Sequence, residues 1–134
     1  MARGGKCRVV RPGAAVIRGI GVDIVVISRL EPLRHKQAFL DKVFTPCEQA
    51  HYAKRTTQSI AAAWAAKEAV SKALGVPLGE IGLKEIEILH KPSGQPYARL
   101  GGIYAAQTPY IHISITHEKQ HAVAMAVWEG EGHD

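Results

Sequence analysis

The chain has 134 residues, 46% hydrophobic and 22% charged, a composition ordinary for a soluble globular protein and a length suited to one domain with a modest core. Lys and Arg number 17 against 12 Asp and Glu, and the formal charge of +5 favours acidic or phosphorylated partners without choosing among them. No apolar run is long enough to span a bilayer, and two cysteines, Cys7 and Cys47, are too few for a disulfide framework and lack metal-ligand spacing, so both read as free thiols of a cytoplasmic protein.

In chain order, residues 1–15 are rich in Gly and Arg and read as a loose basic leader without the apolar stretch of a signal peptide. Residues 16–130 read as a single domain. Val16 to Val26 is a β-rich apolar run suited to a buried strand. Ser28 and Glu31 have capping-box spacing, which predicts a helix starting near Arg29. A second box, Thr45 with Glu48 and Pro46 between them, predicts a helix to about Lys54. The alanine-rich run Thr57 to Leu74, stopped by Gly75 and Pro77, predicts a long helix. Lys84 to His90 alternates with period two, Pro92 to Gly94 is a turn, and Pro96 to Leu100 is a short strand. Tyr110 to Thr116 and His121 to Trp128 form a hairpin. Strand, helices, then antiparallel strands make the fold class α+β.

Three segments carry candidate chemistry. In the first strand Gly19, Gly21 and Asp23 share one face, leaving room beside an acid for a ligand or another backbone. On the long helix Ala61, Ala65, Glu68 and Lys72 line up, leaving a Glu68–Lys72 pair open to a large ligand. Near the chain end Ile111, Ile113 and Ile115 face one way and His112, Ser114 and Thr116 the other, a polar row ending in His117 that can donate to phosphate oxygens. Each segment taken alone reads as ordinary packing, a helical ion pair or a half-solvated strand. Together they suggest a magnesium–phosphate site. Two carboxylates are too few to enclose calcium but suit magnesium, which keeps waters and takes phosphate oxygens as further ligands. There is no GxxxxGK[ST] loop and no Rossmann GxGxxG.

At these residues the sequence resembles the holo-acyl-carrier-protein synthases, the small 4'-phosphopantetheinyl transferases. The family's blocks occur in order: Gly21-Val22-Asp23 followed by Arg29; Phe44-Thr45-Pro46-Cys47-Glu48; Trp64-Ala65-Ala66-Lys67-Glu68-Ala69-Val70-Ser71-Lys72; and Ser114-Ile115-Thr116-His117-Glu118. Gly94-Gln95-Pro96 with Leu100 fits a further segment, and the similarity spans about residues 16–128. The resemblance implies a Mg2+ site at Asp23 and Glu68, with Asp23, Glu68, Lys72 and His117 catalytic. It implies coenzyme A contacts at Lys67, Lys72, Ser114, Thr116 and His117. It further implies transfer of phosphopantetheine from coenzyme A to a serine of an acidic acyl carrier protein in fatty acid biosynthesis. The carrier would dock at Arg29, Arg34 and Lys36, and the assembly would be a homotrimer with sites between chains.

One departure stands out: many members have Arg before the aromatic of the second helix block, and this chain has Ala63. Two other readings are a non-catalytic basic module binding an acidic carrier or nucleic acid, and a carrier-binding relative that has lost catalysis. Nucleic acid is disfavoured because no aromatic–basic strand motif occurs. Lost catalysis is disfavoured by the intact Asp23, Glu68 and Lys72.

Overall fold

The computed structural model describes residues 15–131, so the leader reading and Cys7 lie outside the described residues. Strand β1 (Ala15–Val26) leads through a 3-10 turn into the four-residue helix α1 (Leu30–Leu33). Helices α2 (Gln37–Val43), α3 (Pro46–Tyr52) and α4 (Thr57–Leu74) follow. Strands β2 (Ile86–His90) and β3 (Pro96–Leu100) form a two-stranded antiparallel hairpin. A 3-10 stretch over Gly102–Tyr110 then leads to β4 (Ile111–His117) and β5 (His121–Glu131), which join β1 in an antiparallel sheet of order β1-β5-β4. The α+β class expected from the sequence is the class observed.

Local chemistry explains most boundaries. At α3 the Thr45 hydroxyl accepts the Glu48 amide and the Glu48 carboxylate accepts the Thr45 amide, the reciprocal box the sequence predicts. At α4 the cap is Thr56, and Gly75 ends the helix at φ +72°, a left-handed position suited to glycine.

The Ser28–Glu31 box does not form. Residues Ile27–Arg29 close a 3-10 turn instead, the cap position carries no side-chain bond, and Glu31 is drawn away to Thr57 and His35. The chain then opens at Lys36 (φ −104°, ψ 113°), so the single helix expected near Arg29 is two short ones.

The core lies between α4 and the β1-β5-β4 sheet. Ala61, Ala65, Ala66 and Ala69 of α4 and Ala122, Ala124 and Ala126 of β5 are all fully buried. Small side chains on both sides let helix and sheet approach closely. The approach is closest at β1, where a Cβ on Gly19 would stand 1.9 Å from the Ala73 carbonyl oxygen and one on Gly21 2.0 Å from that of Ala69. The two glycines therefore serve a neighbouring backbone, one of the two alternatives the sequence left open.

Candidate active site

Register decides which side chains meet. Asp23 pairs with Ala124, which pairs with Ile115, and all three point toward α4. With Gly21 against the helix, Asp23 is carried to the C-terminal half of α4. There the Lys72 ammonium lies 3.2 Å from Asp23 Oδ1 and donates to the Val22 carbonyl oxygen at 2.9 Å. The expected Glu68–Lys72 pair is thus replaced by a cross-element pair, because β1 runs close enough to intercept the lysine. Glu68 instead accepts the Trp64 indole N–H at 3.1 Å and faces the Asp23 carboxyl.

Two carboxyls now confront each other. Burial and then the Asp23 charge push the Glu68 carboxyl above its ordinary range, against the Trp64 bond and the Lys72 charge. Asp23 Oδ2 is buried and has no hydrogen-bond partner. A buried oxygen left bare beside a second carboxyl is costly unless a cation or proton sits between them. This donor set fits a hard dication such as magnesium, with Lys72 occupying the other Asp23 oxygen. Among the described residues no group of three or more His, Cys, Asp or Glu gathers into a metal cage, so further ligands would come from a bound molecule or water. A cleft of about 340 Å3 opens beside the pair, lined by Glu68, Ser71 and Lys72 with Gly75 to Leu78.

The other expected site residues divide. Lys67 is not a ligand contact: its ammonium is fully buried, 2.8 Å from Glu48 Oε1, and donates also to the Leu83 and Ile86 carbonyls. All three of its donors are thereby used. Burial pushes Glu48 up and Lys67 down. We take the pair as ionised, because Glu48 also accepts the Thr45 and Ile88 amides.

His117 does not continue the polar row. It pairs with Ala122 and shares the inward face of the isoleucines, whereas His112, Ser114 and Thr116 lie on the outer face. His117 lines a separate cleft of about 200 Å3 with Ser59, Ala63, His90 and Pro96. Strand β5 separates β4 from β1, so about 10 Å of sheet lies between the backbones of His117 and Asp23. The two clefts also use opposite flanks of α4, since Ala63 and Glu68 are about 140° apart around the helix.

Arg29 and Lys36 are exposed. Arg34 is partly committed, donating to Thr57 Oγ1 at 2.8 Å and to the Arg55 carbonyl at 2.7 Å.

The outer sheet face was not singled out in the sequence. Ile20, Val22, Ile24 and Met125 are 64%, 58%, 62% and 44% exposed and lie side by side across β1 and β5. Period two in the first strand was legible, but one face is apolar and the other is glycine with the single acid Asp23, so no row of polar side chains told the exposed face from the buried one.

Comparison with known proteins settles the family. The model of the 4'-phosphopantetheinyl transferase superfamily matches residues 19–126. The chain belongs to that superfamily. It is 38% identical over 124 residues to the holo-[acyl-carrier-protein] synthase of Enterococcus faecalis, covering 87% of this chain and 100% of the relative. It is 40% identical over 128 residues to that of Clostridium perfringens, covering 87% and 96%. Among solved structures, the Bacillus anthracis holo-(acyl-carrier-protein) synthase in complex with CoA (3',5'-ADP) matches with TM-score 0.73 and 31% identity over 88% of this chain and 100% of that one. The Helicobacter pylori synthase in complex with coenzyme A matches with TM-score 0.72 and 33% identity over 81% and 98%. The matched span of the superfamily contains Asp23, Glu68, Lys72 and His117.

Proposed function

We propose that this chain transfers the 4'-phosphopantetheine group of coenzyme A to a serine of an apo acyl carrier protein, a magnesium-dependent step serving fatty acid biosynthesis. The observation that carries the reading is the confronted Asp23–Glu68 carboxyl pair, with its bare buried oxygen and Lys72 beside it, in a chain of this superfamily. Asp23 and Glu68 would hold the magnesium, which supplies charge neutralisation on the pyrophosphate. The serine oxygen forms a bond to the phosphorus that bears pantetheine. The bond from that phosphorus to the pyrophosphate's bridging oxygen breaks. The serine hydroxyl loses its proton, and adenosine 3',5'-bisphosphate leaves with the electron pair. Lys72, on the solvent side of Asp23, is placed to stabilise the charge that grows on the leaving oxygen.

One chain keeps His117 and Asp23 on opposite flanks of α4, and its outer sheet face is apolar and exposed. Both features support assembly with further copies, for which a homotrimer is our reading. His117 of one copy then faces the carboxylates of the next. Ser114 and Thr116, on the outer face, meet a neighbouring chain rather than the nucleotide. Arg29 and Lys36, with Arg34 braced beside them, offer an acidic carrier helix a basic landing surface. We place the reaction in the cytoplasm.

The test is intact-mass measurement of an apo acyl carrier protein incubated with the enzyme, coenzyme A and magnesium. A gain of one phosphopantetheine, abolished by EDTA, is expected. No gain with several acidic carriers, from protein shown to be folded, overturns the reading.

A further inference from the structure

Each carboxylate of the confronted pair is held by one donor. Lys72 lies 3.2 Å from Asp23 Oδ1 and leaves Oδ2 bare. Trp64 takes Glu68 Oε2, its indole N–H donating at 3.1 Å, and among the described residues no N–H donates to Oε1. The roll of α4 fixes where the Glu68 side chain leaves the helix. Its χ1, χ2 and χ3 torsions still leave the aim of the carboxylate open.

Two residues compete for that carboxylate. Trp64 stands one turn before Glu68 on α4 and Lys72 one turn after, both at the i,i+4 spacing at which helix side chains meet. Long side chains on a helix lean toward its N-terminus, which favours Trp64. Lys72 is engaged by Asp23 and by the Val22 carbonyl oxygen, to which it donates at 2.9 Å. The choice of donor matters to a cation. An ammonium on Glu68 would repel a dication, whereas the indole N–H is an uncharged donor that holds the oxygen without that cost.

The indole is itself clamped. Its ring stacks on Phe39 of α2 at 5.7 Å between centroids and 20° between planes. Phe39 in turn meets the buried Phe44 edge-on at 6.4 Å and 73°. The N–H is therefore aimed by two elements, α4 that carries it and α2 that stops the ring from turning. Phenylalanine at position 64 would keep a ring against Phe39 and lose the bond to Glu68.

We propose that Trp64 is a positioning residue for the metal centre: its indole N–H, clamped by Phe39, holds Glu68 Oε2 so that Oε1 is offered to magnesium and the carboxylate is kept from Lys72. The inference rests on the reading of Asp23 and Glu68 as the magnesium ligands. Hydrogen bonds that orient a metal ligand are worth about 10–100-fold in metal affinity, and one neutral donor on a partly exposed carboxylate belongs at the lower end, about tenfold. Without it Glu68 turns toward Lys72, which costs the metal a ligand and draws Lys72 from Asp23.

The experiment is calorimetric titration of magnesium into the full chain with coenzyme A present, for wild type and Trp64→Phe, with melting followed in parallel. Trp64→Phe is expected to unfold cooperatively and to bind magnesium about tenfold more weakly. The magnesium needed for half-maximal carrier modification should rise by the same factor. A second measurement reads wild type directly. The chain has two tryptophans and hence two indole N–H signals in NMR, assigned by the one that Trp128→Phe retains. Magnesium should shift the Trp64 signal, because it draws electron density from the acceptor Glu68, and leave in place that of Trp128, whose N–H is taken by Gln107 at 3.0 Å. Equal magnesium affinity in wild type and Trp64→Phe overturns the proposal. So does a Trp64 signal unmoved by magnesium that calorimetry shows to be bound. Wild type that binds no magnesium overturns the reading of Asp23 and Glu68 as its ligands, and this inference with it.

Discussion

Gly21→Ala is the substitution that most directly probes how the fold builds the site. The added Cβ would stand 2.0 Å from the Ala69 carbonyl oxygen, 2.8 Å from the Ala73 amide nitrogen and 2.9 Å from Lys72 Cβ. Real Cβ atoms essentially never approach closer than 3.0 Å, so α4 must withdraw from β1 by about 1 Å. Two of the three obstacles are backbone, which cannot swing aside. Overpacking of this kind costs about 1–3 kcal/mol, a melting-temperature loss of roughly 10 °C at the upper end for a domain of this size. The same shift separates Asp23 from Glu68 and Lys72, and a misplacement of about 1 Å is worth on the order of 10²-fold in rate. Thermal unfolding and carrier-modification rates should therefore fall together. Gly79→Ala is the control, since a Cβ there meets nothing within 4 Å and should change neither. A Gly21→Ala protein with wild-type melting and turnover would refute the claim that close helix–strand approach at this glycine places the carboxyls.

Three further outcomes follow from the same geometry. Glu68→Gln should abolish magnesium-dependent turnover yet melt at or above wild type without metal at neutral pH. Its raised native carboxyl means the folded state holds its proton to higher pH than the unfolded chain, so stability falls as pH rises through that window, and Gln removes the loss; a lower melting temperature contradicts this. Lys67→Met leaves the buried Glu48 charge unpaired and should cost about 3–5 kcal/mol by denaturant unfolding, whereas a cost below about 1 kcal/mol shows the pair is not ionised. Met125→Glu places a charge in the middle of the exposed apolar face and should shift the protein to monomer in analytical ultracentrifugation with melting little changed; an intact oligomer would move the interface elsewhere.

The sequence made the elements with strong local signals legible. Helix α4 runs over the residues that its alanines and Gly75 predict, and the Thr45–Glu48 box forms as read. The Ser28–Glu31 box failed because Thr57, 26 residues away in the chain, competes for the same carboxylate, a contact no local spacing reports. Helix α2 and the 3-10 stretch over Gly102–Tyr110 were not anticipated, since neither has a side-chain cap and the latter carries Pro109 within it. At the site, Asp23 and Glu68 could be paired from the motifs, but Lys72's preference for Asp23 depends on how near β1 lies. The inward turn of His117 follows from counting alternate residues from Ile115, a count that its place in a polar motif obscured.

Lys67 and Glu68 show why a motif read as one unit can hold two unlike jobs. Adjacent helix positions differ by about 100° around the axis. That rotation sends Lys67 into the core, where Glu48 and two carbonyls of the β2 region consume its ammonium. It sends Glu68 to the flank beside β1, where its carboxyl meets Asp23. The buried pair ties α4 to α3 and β2 at one point of its circumference, and the glycines of β1 fit it to the sheet at another. With both fixed, α4 cannot roll, and the direction of Glu68 is set without any contact to Glu68 itself. The basic residue of the motif therefore serves the chemistry by being unavailable to it. Its charge holds the helix at the angle that leaves two carboxyls facing each other with one buried oxygen bare.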